Sequence, residues 1–273
     1  MNVRDIILTA FALLVCVSCK KEKEMTLSGL NIRDFQTEVD GQLTDLYVLR
    51  NENGMEACIT NYGGRVVSLM VPDKNGKMED IVCGYPTIAD YLATKQNFGA
   101  TIGRYIGRIV NSTFTLDSVT YHLVPNTDIH CAHGGDPGFA SKIWQAEQLD
   151  ENALKLSLFS PDGENGFPGN LRVHVIFVLT KDNELDIHYE AETDKPTVIN
   201  LSHHSFFNIS GDFIRPNGCR TACGQRALPP KTTWWTSPIS CFSSWDSPCT
   251  LSMQRSSTAA GSWSEPARKV LRS

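Results

Sequence analysis

Leu171-Arg172-Val173-His174-Val175-Ile176-Phe177-Val178-Leu179-Thr180, then Lys181-Asp182-Asn183, then Glu184-Leu185-Asp186-Ile187-His188-Tyr189-Glu190-Ala191-Glu192 reads as two strands joined by a polar turn. Successive side chains of a strand point to opposite faces, so Leu171, Val173, Val175, Phe177 and Leu179 share one face. The same period of two recurs outward along the chain. Leu46–Arg50, Glu56–Thr60 and Arg65–Val71 read as successive strands, the last two joined through Asn61-Tyr62-Gly63-Gly64. Thr113–Leu116 and Thr120–Val124 flank Asp117-Ser118 as a hairpin, and Leu154–Phe159 is a further strand. Ile88–Thr94 is the one expected helix, and a short one. Many strands separated by turn signals predict an all-β fold, an antiparallel sandwich or barrel.

The chain has 273 residues, 41% of them hydrophobic, enough for one large β domain or two smaller ones. A net charge of -5 argues against a general nucleic-acid binder. That charge is unevenly spread. Residues 1–213 hold 28 acidic against 17 basic side chains, whereas residues 214–273 hold 2 against 8. Alternation also stops there: the tail carries Trp234-Trp235, Trp245, Trp263, six prolines and eleven serines. Two readings are open, a chain that leaves its ancestral reading frame near Phe213 and a divergent but selected tail.

At the other end, Arg4 precedes the apolar run Ile6–Val15, too short to span a bilayer comfortably. Val17-Ser18-Cys19 and the charged Lys20-Lys21-Glu22-Lys23-Glu24 follow. A cysteine directly after such a run resembles the processing box of bacterial lipoproteins, which predicts lipid attachment at Cys19. The implied location is the cell envelope, anchored to a membrane in the periplasm or at the outer membrane. An ordinary cleaved signal peptide is the alternative. The expected organisation is a signal segment over 1–19, a tether and domain start over 20–40, a β-sandwich over 41–213 and the anomalous tail over 214–273. The nine cysteines show no disulfide framework or zinc spacing, and Cys58, Cys83 and Cys131 read as small buried hydrophobes.

Chemistry is concentrated in three separated segments: Gly103-Arg104-Tyr105-Ile106-Gly107-Arg108-Ile109, His133-Gly134-Gly135, and Asn200-Leu201-Ser202-His203-His204-Ser205-Phe206-Phe207-Asn208. Imidazole gives and takes protons near neutral pH, and arginine grips oxygen-rich ligands with a planar fork of donors. The bland readings are a strand histidine satisfied by its neighbours, a turn in which the glycines supply positive φ, and a surface or hairpin arginine at Arg104. Alternation sends His203 to the face opposite His204.

In order and spacing, these segments resemble the aldose 1-epimerase (galactose mutarotase) family. The resemblance also takes in Phe98-Gly99-Ala100-Thr101-Ile102, Phe114, Tyr121-His122-Leu123, Asn126 and Ser160-Pro161-Asp162-Gly163-Glu164-Asn165-Gly166-Phe167-Pro168-Gly169. It runs from about Asp45 to near Gly211 and implies a large antiparallel β-sandwich, incomplete at its C-terminal end. The substrate it implies is an aldose held in a groove and opened by acid/base chemistry at C1. By motif position His204 matches the general acid, while Arg108 and His133 match sugar-binding residues, His133 close to the ring oxygen. Arg104, His122, His130 and His203 keep structural readings.

Two departures stand out. Gly107 replaces the Asn that commonly precedes the arginine. The family's late glutamate base has no matching motif here, Glu265 being the only glutamate after Glu192 and lying in unrelated surroundings. The implied chemistry needs no metal or organic cofactor. The Ser160–Gly169 loop, a groove loop or a plain surface turn, offers Asp162, Glu164 and Asn165 to calcium, far from a complete ligand set. A monomer is expected. The competing function is a non-catalytic carbohydrate-binding envelope lipoprotein.

Overall fold

A computed structural model describes residues 25–209 and the backbone of Leu251–Ser252 and Ala267–Arg272. The expectations for the signal segment, for Cys19, for the break at Phe213 and for the rest of the tail lie outside the described residues.

A small hairpin of β1 (Glu38–Val39) and β2 (Gln42–Leu43) precedes a four-stranded antiparallel sheet. Its strands β3 (Leu46–Arg50), β4 (Glu56–Thr60), β5 (Arg65–Pro72) and β6 (Met78–Asp80) pair in chain order. Then come α1 (Ile88–Thr94), β7 (Thr101–Ile102), β8 (Arg108–Ile109), β9 (Thr113–Leu116), β10 (Val119–His122) and β11 (Cys131–Ala132). The second sheet holds β12 (Gln145–Asp150), β13 (Ala153–Ser160), β14 (Leu171–Leu179) and β15 (Glu184–Thr193) as antiparallel neighbours. β16 (Ser202–His203) pairs with β7, whereas β17 (Leu251–Ser252) and β18 (Ala267–Arg272) extend the second sheet beyond β15.

The two sheets share one core. Leu171, Val173, Val175, Phe177 and Leu179 are all buried, as their alternation predicts, and Val175 lies between Leu156 and Tyr189 across the sheet. These residues meet Leu49, Met55, Ala57, Ile59, Val66 and Leu69 of the first sheet. Each fully buried side chain of this kind contributes about 1.5–3 kcal/mol of hydrophobic stabilisation. The first sheet is covered on its other side too. Leu46, Cys58 and Val67 pack there with Phe35, Tyr62, Ile88 and Tyr91, so β4 is buried along its whole length.

Thr87 starts α1 as its cap, its side chain accepting from the Asp90 N–H, and Lys95 ends it in a left-handed conformation. Arg65 then ties this side of the fold to the segments that carry the candidate site. Its buried guanidinium donates to the carbonyls of Gln96 and Phe98 at 2.9 Å and of Ala140 at 2.7 Å. It also lies against the rings of Tyr62 and Tyr91. No carboxylate is needed: three carbonyl dipoles and two ring faces stabilise the cation.

Three expectations need correction. The hairpin's second strand is Val119–His122 rather than Thr120–Val124, because Leu123 and Val124 leave it to donate to the carbonyls of Ser112 and Asn165. The run around the paired histidines is strand for only two residues, since its partner β7 is equally short. Beyond it the chain changes partner, Cys83 N–H donating to Phe206 O and Asn208 N–H to Ile81 O. β12 was not expected at all: it is a mostly exposed edge strand with no apolar alternation to announce it.

Candidate functional site

The separated motifs meet at one place. β16 lies against β7, with His203 opposite Thr101 and Ser202 opposite Ile102. The backbone of His204 donates to Ala100 O at 2.7 Å and accepts from Gly99 N–H at 3.1 Å. Immediately before it, Asn200 N–H donates to Arg104 O and Ile106 N–H to Asn200 O, both at 2.9 Å. β8 pairs with β11, placing Arg108 opposite Ala132 and bringing His133 alongside Gly107.

His133 and His204 then meet ring to ring. Their centroids are 5.4 Å apart with planes at 84°, an edge-to-face pair. His133 is fixed from two sides: its N–H donates to Gly107 O at 2.8 Å, and Gly107 N–H donates to its Nδ1 at 3.3 Å. An Nδ1 that accepts cannot carry the proton, so the neutral ring holds it on Nε2 and presents a donor there. Burial first, then the neighbouring His204 and Arg108, hold the His133 pKa below the ordinary histidine range. Arg108 itself is exposed, and its guanidinium makes no hydrogen bond or ion pair among the described residues.

His203 faces the other way, as alternation predicts. It is buried, its Nδ1 lies 2.7 Å from Ser205 Oγ, and its ring meets the core residue Phe177. His122 sits on the exposed β9–β10 hairpin opposite Thr113, and His130 accepts from Asn111 N–H in a turn. Neither joins the pair.

Arg104 is no surface arginine. It is 2% exposed. It donates from Nε to Ser160 Oγ at 2.8 Å, from Nη1 to Pro168 O at 2.9 Å, and from Nη2 to Ser160 O and Pro161 O at 3.0 and 2.9 Å. It thereby gathers both ends of the Ser160–Gly169 loop. That loop in turn braces the His133 turn, Asn165 Nδ2 donating to Gly134 O and Pro137 O at 3.0 Å each. Close packing demands glycine here: Gly134 has φ 86°, and a Cβ on it would lie 1.9 Å from Gly103 O.

The loop's acidic groups are committed to protein partners. Glu164 pairs with Lys142 and accepts from Ser160 Oγ, and Asp162 pairs with Lys195, which with the Gly169 N–H holds its carboxyl below the usual range. Among the described residues no group of three His, Cys, Asp or Glu side chains converges as a metal site. Cys58, Cys83 and Cys131 are buried, and burial pushes the Cys131 thiol up.

One neighbour of the pair was not singled out from the sequence. Phe206 is 43% exposed, and its ring lies 5.1 Å from that of His204 and 5.0 Å from that of Phe98. Phe206 lies past the end of β16, so the fold and not the pleat sets its ring beside that of His204.

The family sequence model described as aldose 1-epimerase matches residues 45–222. The chain is 36% identical over 173 residues to an aldose 1-epimerase of Escherichia coli (strain K12), covering 63% of this chain and 50% of that protein. It is 36% identical over 171 residues to a galactose mutarotase of Rattus norvegicus, covering 63% and 49%. Among solved structures, the GalM/aldose epimerase homologue from C. elegans superposes with a TM-score of 0.59 at 30% identity, over 62% of this chain and 52% of that one. The chain spans about half the length of the curated relatives it matches.

Proposed function

The chain belongs to the aldose 1-epimerase family, and from that premise we propose that it binds an aldose at the His133–His204 pair and interconverts its α and β anomers. The reaction opens the hemiacetal: a base takes the C1 hydroxyl proton, an acid protonates the ring oxygen, and the ring closes on the other face after rotation about C1–C2. In this reading His204 is the acid. His133, held neutral with its proton on Nε2, donates a hydrogen bond near the ring oxygen, and Arg108 grips hydroxyls. The chemistry draws on no metal or organic cofactor, and the protein acts as a monomer.

The observation that carries the reading is the pairing of His133 with His204, since it sets two imidazoles and the charge of Arg108 together from three distant segments. A positive charge beside His133 suits a group that must stay uncharged while it binds a neutral sugar. Polarimetry on freshly dissolved α-glucose or α-galactose tests it: weak acceleration of mutarotation at most is expected of the 273-residue chain, because no residue is assigned as the base, and sugar binding with no acceleration refutes the catalytic part.

A second reading, a non-catalytic carbohydrate-binding envelope lipoprotein, is favoured by one observation. No motif matching the family's glutamate base follows His204 in the sequence, Glu265 being the only glutamate in that stretch. Both readings share the anchor. Labelled fatty acid is expected in the wild-type protein and not in Cys19→Ala, and an unlabelled wild type leaves only an ordinary signal peptide.

A further inference from the structure

We propose that Asn126 and Asn165 are positioning residues for His133: their side-chain carboxamides clamp the chain just before and just after it and so aim its Nε2–H into the sugar site. The inference rests on the sugar-site reading above and extends it to two residues that act through His133 rather than on the sugar.

The turn itself calls for support. His133, Gly134 and Gly135 hold φ of 53°, 86° and 93° in succession, all in the left-handed region. Glycine adopts that region freely, but an L residue such as His133 keeps it only where the surroundings over-determine the backbone. Within the turn, Gly135 N–H donates to Ala132 O at 3.1 Å. Two amide side chains add what this single bond does not supply. Before His133, Asn126 Oδ1 accepts from Ala132 N–H at 2.7 Å, and Asn126 Nδ2 donates to Ala132 O at 2.9 Å. One side chain thus serves Ala132 as a neighbouring strand would, on the edge of β11 turned away from β8. After His133, Asn165 Nδ2 gives one hydrogen to Gly134 O and the other to Pro137 O, each at 3.0 Å. These acceptors fix the amide's orientation, since the flipped group would set Oδ1 against two carbonyl oxygens. The fit is close: a Cβ on Gly135 would lie 2.6 Å from Asn165 Cγ.

The two clamps come from separate parts of the chain. Asn126 stands at the base of a turn closed by His130, whose carbonyl accepts from the N–H groups of Asn126 and Thr127 at 3.1 Å each. Asn165 belongs to the loop that Arg104 gathers, and its own carbonyl accepts from Val124 N–H at 3.0 Å. With Gly107, which holds the His133 backbone and Nδ1, three segments converge on one histidine. Support of this kind suits a donor whose direction matters, because a hydrogen bond weakens steeply as its angle opens. A ligand-facing group held in one geometry by its neighbours also loses little freedom when the ligand arrives.

The test reads the histidine and the sugar separately. The full chain and its Asn126→Ala and Asn165→Gly variants are compared by NMR titration of the His133 ring and by calorimetric titration with galactose. Glycine suits the φ of 51° at position 165, so the backbone keeps its shape while both donors are removed. Leu179→Ala, in the buried core of the second sheet, controls for stability lost away from the turn. In each amide variant the His133 pKa, held down by burial, His204 and Arg108, should rise toward about 6.5. The galactose Kd should rise about five- to tenfold, the loss expected when one hydrogen bond to the ligand is misaligned. Leu179→Ala should leave both unchanged. If Asn126→Ala does not fold, Asn165→Gly alone decides. A His133 pKa within about 0.2 unit of wild type in the folded variants, or an equal rise in Leu179→Ala, overturns the clamp. A shifted pKa with galactose affinity within about twofold of wild type overturns the aiming of the donor. A wild type that binds no galactose overturns the sugar site, while the His133 titration still decides the clamp.

Discussion

Arg104→Met is the substitution by which the site's architecture is most directly tested. The wild-type guanidinium makes four hydrogen bonds, three to carbonyl oxygens and one to the Ser160 hydroxyl, while buried. Methionine fills much of the stem but donates nothing, so those acceptors lose their partner. A buried acceptor left unsatisfied costs about 1–3 kcal/mol, and hydrogen bonds to a charged donor lie at the strong end of the scale. Two effects offset the sum: water reaches part of the loop once it loosens, and removing the cation abolishes its own desolvation penalty. Burial indeed lowers the Arg104 pKa, while Glu164, Asp162 and Asp194 raise it. The balance is a net destabilisation of about 3–5 kcal/mol, within the range for breaking a buried charged network. Urea unfolding followed by circular dichroism reads that loss. Amide exchange then locates it: the N–H groups of Glu164, Gly166 and Phe167, bonded within the loop to Pro161, Gly163 and Glu164, should lose protection. Arg104→Lys keeps the charge but not the fork and should fall between the two. A methionine variant within about 1 kcal/mol of wild type, with loop protection unchanged, refutes the claim that Arg104 pins the loop.

Gly134→Ala should destabilise by more than about 1 kcal/mol and displace His133, because the new Cβ meets Gly103 O in a backbone conformation L residues rarely adopt. A heteronuclear NMR spectrum with unshifted His133 and His204 ring signals would contradict it. If mutarotation is present, His204→Asn should lower kcat by about two to four orders of magnitude, whereas His203→Asn should act on stability through its contact with Phe177; equal losses of kcat would undo the assignment within the pair. The lowered pKa of His133 makes a third expectation about pH. The unfolded chain protonates His133 before the fold does, so its contribution to stability is full above the ordinary histidine pKa of about 6.5 and is lost as pH falls through the folded value. Chemical denaturation across that window should show a shallower acid-side slope in His133→Asn, with His174, lowered by burial and by Lys155, supplying slope that remains.

The sandwich was legible because strands such as β13 and β14 are half-buried. Leu171 to Leu179 alternates apolar with more exposed residues, and that alternation is what one buried face leaves in a sequence. β12 left no such trace, since an edge strand exposed on both faces has no reason to alternate. The site divides in the same way. His133, His204 and Arg108 were legible as residue types in an ordered set of motifs, and the split of His203 from His204 followed from the pleat alone. Arg104 was not legible as a structural pin, because its partners are backbone carbonyls and a serine more than 50 positions away, which carry no charge to suggest a match. Phe206 was hidden for a related reason: an aromatic residue in an apolar run reads as core until the fold shows which side of the chain is covered.

The roles proposed for the two histidines differ because of one backbone amide. Gly107 N–H donates to His133 Nδ1, and Gly107 O accepts from His133 N–H, so the two residues are locked by groups that every residue except proline possesses. Position 107 has φ 95°, which glycine adopts without strain and L side chains rarely do, so the glycine itself helps aim that amide at His133. In the proposed sugar site the glycine that stands there offers no side-chain amide, yet leaves the His133 tautomer fixed. A ring whose Nδ1 is occupied and whose pKa is depressed is poorly suited to carry a proton through a catalytic cycle, and well suited to offer a constant Nε2–H donor. In the proposed reaction proton transfer then falls to His204, whose backbone is anchored to Gly99 and Ala100. Its ring lies between those of His133 and Phe206.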